Sequence, residues 1–410
     1  MFLFGKSQNA KRCGAIIDIG SGSVLVSIVL SDPKSKTPSI IWSHREQAPL
    51  KNIDSIEQSA KSVMTALVNA SMILDGEGRK ALREFSSHLK ISEVQCSISA
   101  PWSYTVTKTI NYQDDEEFEI TKHLINEFNQ TIATKVEKDF SETSKLRDLN
   151  LTTISKLTMD LSANGYHIKS PKGNKATELK ISQAHSVAQE TLVNAIDELH
   201  EKLLPNTEIK KVSFILILFA VTRELLNQTY DVCLIDITYE ATEIGVVRDG
   251  VLNYCTHTPF GSFSLAREIS EITGSPLYEC FGYLHNDEPY EFIDHLTKKQ
   301  GDEVNTALEA YTALISDLFN ETGDSLSIPK QIVVHSDLRS ENLFMDLIKK
   351  AAIRNLRSEP LVTSVTKEII SKTYKQQTSD TKNFIPEDTA LMLSAQFFHT
   401  EGNLLEFKHF

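Results

Sequence analysis

Apolar and polar positions along the chain switch between two periods, one for strands and one for helices. Residues 14–30, GAIIDIGSGSVLVSIVL, carry Ile16, Ile17 and Ile19 before a Gly-Ser-Gly-Ser turn and Val24, Val26 and Ile28 after it, which predicts two β-branched strands joined by a tight turn. SIIWSHRE follows the turn-rich SDPKSKTP and reads as a third strand. From Ile56 the apolar residues Ile56, Ala60, Val63, Met64, Leu67 and Val68 recur at helical spacing, so residues 55–72 form an amphipathic helix, continued by the charged helical link GEGRKALREF. EVQCSISAP (93–101) and TVTKTINY (105–112) alternate as strands. The acidic DDEEFE behind them suits a helix N-terminus, opening a helix through residue 139 with the stripe Phe118, Leu124, Ile125, Phe128, Ile132 and Val136.

The turn-rich NGYHIKSPKGNK (164–175) lies between strand-like LTMDL and ELKISQ, so residues 93–183 read as an α+β unit inserted into a larger fold. A second amphipathic helix carries Val187, Leu192, Ala195, Ile196, Leu199 and Leu203 in register, and the apolar run Phe214 to Val221 has the length of a buried strand. Residues 230–261 then repeat the opening pattern: an apolar strand ending in Asp236, a short turn, a second strand, and a hairpin at Arg248-Asp249-Gly250. This weak internal duplication is the most informative feature of the organisation. Residues 262–322 read as helical, QIVVHSD (331–337) as a buried strand, and Leu343–Ala352 as a short helix.

Composition and charge narrow the class. At 410 residues the chain suits two to four subdomains, and 40% hydrophobic residues can fill a large interior. With 42 Lys+Arg against 55 Asp+Glu, a formal net of −13, the surface repels polyanions, so nucleic acid is not expected as a partner. The five cysteines form no CxxC pair and sit near no histidine at ligand spacing, and the twelve histidines form no HxxxH cluster; both read as core or surface residues of a reduced, cytosolic protein. The start, MFLFGKSQNAKR, has the reverse order of a signal peptide and is expected to fray. No G-x-S-x-G elbow or reactive cysteine motif indicates a nucleophilic enzyme.

Two strand-Asp-turn-strand units facing one another can hold a nucleotide triphosphate. Backbone N–H groups of the turns meet phosphate oxygens, glycine lets the backbone approach, and two carboxylates hold magnesium through water. The candidates in the first unit are Asp18, Gly20, Ser21, Gly22 and Ser23, and in the second Asp236, Thr238 and Thr242. Asp18 and Asp236 are the magnesium candidates. On the residues alone, Gly20–Ser23 is equally a plain hairpin turn, Asp236 a strand-end cap, and DDEEFE either a solvated helix start or an acidic partner patch.

In this order the pieces resemble the actin-like ATPase superfamily and, within it, the FtsA and PilM family. DIGSGSV (18–24) is similar to the first phosphate motif, DITYEATEI (236–244) stands in the place of the second, and IVVHSD (332–337), with His335 and Ser336, in that of the adenosine motif. The inserted unit and its NGYHIKSPKG stretch also resemble that family. The resemblance implies a duplicated α/β actin-like (ribonuclease H-like) fold with an inserted α+β (SHS2-type) subdomain. The first subdomain would be 1–92 with 184–229, the insert 93–183, the second subdomain 230–262 with 323–410, and a helical subdomain 263–322.

The departures from the family pattern bear on chemistry. After Asp236 no glycine comes before Gly245, and Tyr239 and Glu240 add bulk and charge where phosphate would approach. An unpaired glutamate about 4 Å from a phosphate, at an effective dielectric of about 20, costs on the order of 4 kcal/mol, a sign that a bridging metal would reverse. His335-Ser336-Asp337 replaces the Gly-Gly pair of the adenosine motif. What the resemblance implies is therefore a cytoplasmic actin-like adaptor, peripheral to the inner face of the cell membrane. It would join a membrane-embedded pilus- or secretion-type complex to cytosolic components by binding a partner's cytoplasmic peptide, with weak or lost binding of ATP and Mg. An FtsA-like division protein, with self-association, is one alternative. Only eight residues follow Gly402, too few for the C-terminal membrane helix that this alternative expects. A working Mg-ATP-dependent ATPase or small-molecule kinase is the other.

Overall fold

In the computed structural model, residues 11–49, 56–142, 150–168, 171–225, 231–286, 288–321, 328–336, 341–356, 358–366, 369–370 and 388–404 are described. In chain order their strands are β1 (Arg12–Ile19), β2 (Ser23–Ser31), β3 (Ser39–Gln47), β4 (Glu93–Ile98), β5 (Ser103–Glu119), β6 (Leu151–Ala163), β7 (Tyr166–His167), β8 (Lys175–Gln189), β9 (Glu208–Ser213), β10 (Val232–Ile237), β11 (Thr242–Arg248), β12 (Val251–Thr258), β13 (Gln331–Ser336) and β14 (Leu361–Ser364). The duplication read from the sequence is a duplication of topology. One five-stranded sheet runs β3-β2-β1-β4-β9 and the other β12-β11-β10-β13-β14. In each, the strand carrying the aspartate pairs antiparallel with its hairpin partner and parallel with the strand on its other side.

The third sheet, β5-β8-β6-β7, falls in chain order between β4 and β9 of the first sheet and is covered by the helix Lys122–Glu142 through Ile125, Phe128, Ile132 and Val136. Its edges differ from the expected 93–183. β4 pairs in parallel with β1, so residues 93–98 belong to the first sheet and the third sheet runs from Ser103 to Gln189. DDEEFE does not open a helix. It is the end of β5, exposed and interrupted by a register shift between Gln113 and Phe118, as suits an edge strand whose charges and bulge discourage further pairing. The second amphipathic helix begins at Glu190, leaving Val187 in β8.

The largest departure concerns Phe214 to Val221. These residues form a helix, Phe214–Leu225, rather than a strand, buried from Phe214 through Thr222. A short apolar run has no period to read, and an element enclosed on all sides is apolar all round as helix or strand. The helix lies between the two five-stranded sheets and packs with the helix Thr389–Leu404 through Ala390, Met392, Leu393 and Phe397. That second helix had no counterpart in the sequence reading. Its Phe398 ring covers Gly14 of β1 so closely that a Cβ there would lie 2.4 Å from the ring. Among the described residues no helix is long and apolar enough to cross a membrane.

Candidate functional site: the paired turns

The two aspartates stand one residue from the ends of the central strands of their sheets, and strand register places a polar side chain directly beside each. Across the first sheet the row is Arg45, Leu25, Asp18, Ser97; across the second it is His257, Glu243, Asp236, His335. Directly opposed residues share a face, so each aspartate has its neighbours imposed by register. Asp18, 3% exposed, accepts a bond from the Ser97 hydroxyl. Burial pushes its carboxyl up to about 6, opposed by Arg45 and the Ser97 bond and reinforced by the charges of Asp388 and Asp236. Asp236 Oδ1 accepts from His335 Nδ1 at 2.7 Å, and His335 Nε2 meets the Thr389 hydroxyl at 3.2 Å. Among the described residues, Asp236 Oδ2 and Glu243 Oε2 are buried without a hydrogen-bond partner. Burial, and then the charge of Asp236, hold the Glu243 carboxyl well above the usual range. Among the described residues no group of three or more His, Cys, Asp or Glu side chains is arranged to hold a metal ion.

The first turn is closed by Gly20 N–H on Ser23 O at 3.0 Å. Its outer residues are engaged elsewhere: Arg45 donates to Ser23 Oγ at 2.6 Å and also pairs with Asp388, which caps the helix Thr389–Leu404 by accepting from Leu391 N–H. Ser21 faces the second turn, donating to Thr238 Oγ1 at 2.8 Å while accepting from Glu240 N–H at 2.8 Å. The Tyr239 ring lies on Gly22, so that a Cβ at residue 22 would stand 2.2 Å from the ring. Glycine is thus required where a phosphate loop also requires it, but the atoms that press on it belong to a tyrosine.

The second turn is braced from behind by the helix Ser262–Thr273. Ser262 N–H donates to Thr238 O and Phe263 N–H to Tyr239 O, which takes up amides that a helix N-terminus otherwise offers an anion. Gly261 sits so close that a Cβ would be 2.2 Å from Thr238 O. Glu240 is not the unpaired charge that the sequence suggested. Arg267 grips both its oxygens, at 2.8 and 2.5 Å, and the Ser59 and Ser264 hydroxyls complete its shell. Thr242 turns away from the cleft, bonding Phe260 O and the Tyr311 hydroxyl. Ser336 is buried at the end of β13, and Asp337 lies outside the described residues.

The structure therefore brings together Asp18, Gly20, Ser21, Gly22, Ser23, Asp236, Thr238 and His335, and leaves Thr242 aside. It adds Arg267, Ser97 and Thr389, with Trp102 on Gly20 O and Gln47 on the Tyr239 hydroxyl, none of which carried a local motif. A triphosphate does not fit the turns as they stand. The Gly22 face is covered by a ring, the Ser21 hydroxyl is committed twice, and the amides of Glu240, Ser262 and Phe263 already have acceptors.

No protein-family model and no curated protein matches the chain by sequence. Solved structures match it in shape. The PilM chain of a PilM-PilN type IV pilus biogenesis complex superposes with a TM-score of 0.57 at 10% identity, over 95% of this chain and 99% of that one. The ethanolamine utilization protein EutJ from Carboxydothermus hydrogenoformans gives 0.44 at 10% identity, over 94% and 89%. A protein from Bacteroides thetaiotaomicron with an actin-like ATPase fold and unknown function gives 0.42 at 10% identity, over 89% and 94%. The chain has the actin-like ATPase fold, with its two halves of like topology and two aspartate-bearing central strands. Within that class its shape resembles PilM over nearly the whole length of both molecules.

Proposed function

We propose that this protein is a cytoplasmic actin-like adaptor that joins a membrane-embedded assembly complex, of type IV pilus or secretion type, to cytosolic components, and that it has lost or nearly lost ATP binding. The observation that carries the reading is the pair of turns. They keep the actin-like frame yet spend its phosphate-facing groups on each other. The superposition on PilM, taken from a complex with PilN, supports a membrane-protein partner and peripheral attachment to the inner face of the membrane through it. We place the partner's cytoplasmic peptide beside the third sheet.

The test is co-purification of the tagged full chain from solubilised membranes of its own host. The expected result is recovery with a stoichiometric membrane protein whose N-terminal cytoplasmic peptide alone competes it off. Recovery entirely in the soluble fraction, with no membrane protein attached, overturns the adaptor role.

A further inference from the structure

We propose that Ser21, Tyr239 and Glu240 form an internal clasp that does the bridging work of a nucleotide, holding the two halves of the fold closed without a ligand. In a cleft between like halves, a bound triphosphate joins the halves by accepting from both turns at once. Here the same positions are joined directly. Ser21 of the first turn bonds Thr238 and the Glu240 amide of the second. Thr238 Oγ1 also reaches Ala100 O at 3.2 Å, on the segment after β4, where Trp102 Nε1 donates to Gly20 O at 3.1 Å. The Ser59 hydroxyl, from the helix Ile56–Ile73 of the first half, reaches Glu240 Oε1 at 3.3 Å, and the Tyr239 hydroxyl reaches Gln47 Oε1 at 3.2 Å.

Packing makes the clasp more than a set of polar contacts. Tyr239 and Phe263 are carried by the second half, yet both are buried in the apolar core of the first, 4% and 1% exposed, with Val24, Ile19 and Trp102 in the same cluster. Phe281 lies against both rings, 5.2 Å from each. Opening the cleft to admit a phosphate at Gly22 means withdrawing a tyrosine from a core and breaking two bonds to a fully buried serine hydroxyl. Arg267 keeps Glu240 in place from the second half, so its charge stays satisfied in the closed state. The clasp thus accounts for the retained glycine at residue 22, for the tyrosine at residue 239 and for a glutamate in a phosphate turn.

The inference rests on the lost-nucleotide part of the proposed function and not on the membrane partner, so failed co-purification leaves it standing. Its test uses the full chain with spin labels introduced at Lys61→Cys and Lys299→Cys, exposed positions in the two halves, and reads the distance between them by pulsed electron resonance. The expected wild-type result is one narrow distance, unchanged by millimolar Mg-ATP, with no shift in melting temperature. Tyr239→Gly, which removes the ring from Gly22, is expected to broaden the distribution and to make the melting temperature rise with Mg-ATP. Ser21→Ala removes the hydroxyl without emptying a core, and is expected to broaden the distribution even if the glycine variant does not fold. A wild-type distance or melting temperature that responds to Mg-ATP overturns the proposal, as does a distribution that stays narrow in Ser21→Ala.

Discussion

Asp18→Asn tests the electrostatics of the paired rows. The wild-type carboxyl is buried and pushed up to about 6, mainly by loss of water, with Asp388 and Asp236 adding repulsion. Against an unfolded value of about 3.9, the shift is about two pH units, or about 3 kcal/mol at about 1.4 kcal/mol per unit. The sign follows from the folded state binding the proton more tightly. Asp18 contributes its full stability below about pH 4 and loses it as pH rises through about 6, so above that the folded protein carries a penalty that the unfolded chain does not. An asparagine keeps an oxygen for the Ser97 hydroxyl but carries no charge, and its new amide needs an acceptor. The net gain expected at neutral pH is about 2 kcal/mol. Urea unfolding of wild type and variant, from about pH 4 to about pH 8, should show the variant about 1 kcal/mol the less stable in acid, where only the unmet amide counts, and about 2 kcal/mol the more stable by neutrality. A variant less stable at every pH, or a difference independent of pH, refutes the assignment of Asp18 as a destabilised buried carboxylate.

Three further outcomes are expected. Arg267→Ala strips a buried glutamate of its bidentate partner and should cost about 3 kcal/mol in urea unfolding, part of which Glu240→Gln restores in the double variant; no cost, or no recovery, refutes the pairing. Gly261→Ala sets a methyl against Thr238 O and should cost about 3 kcal/mol, whereas Gly282→Ala, with open space around it, should be neutral or gain up to about 1 kcal/mol. Equal thermal stability of those two variants contradicts the backbone approach. His185 is buried and its imidazole is pushed down to about 4, first by burial and then by Lys156, so it contributes stability above its ordinary value of about 6.5 that is lost as pH falls through about 4. His185→Gln should remove up to about 3 kcal/mol of the acid dependence of unfolding, and an unchanged acid limb argues against a neutral buried imidazole.

Period and turn chemistry carried much of this fold in the sequence. The alternation around Ile16 and Val26, the copy around Ile235 and Ile244, and the glycines between them are local properties, because strand pleat and turn dihedrals depend on neighbouring residues. They were enough to place β1, β2, β10 and β11, to recognise the duplication and to select Asp18 and Asp236. Where the local signal had no period it misled: Phe214 to Val221 is apolar because both sheets enclose it, and enclosure does not say whether the backbone is helix or strand. DDEEFE misled for the complementary reason, since acids suit a helix start as well as an exposed strand edge, and only the pairing of β5 with β8 chooses.

The site itself divides along the same line. That a tyrosine and a glutamate interrupt the second turn is visible in the sequence, but what they do is not. Glu240 is satisfied by Arg267, 27 residues away, and Tyr239 finds its core in the other half of the molecule. Ser97 and His335 reach their aspartates only because parallel strands 79 and 99 residues apart stand in register. By itself the sequence determined the duplicated strand-Asp-turn-strand frame and the two aspartates at its centre, because strand period and turn residues are written locally. Only the tertiary structure decided that the turns close on each other, because hydrogen-bond partners and buried charges are set by distance in space.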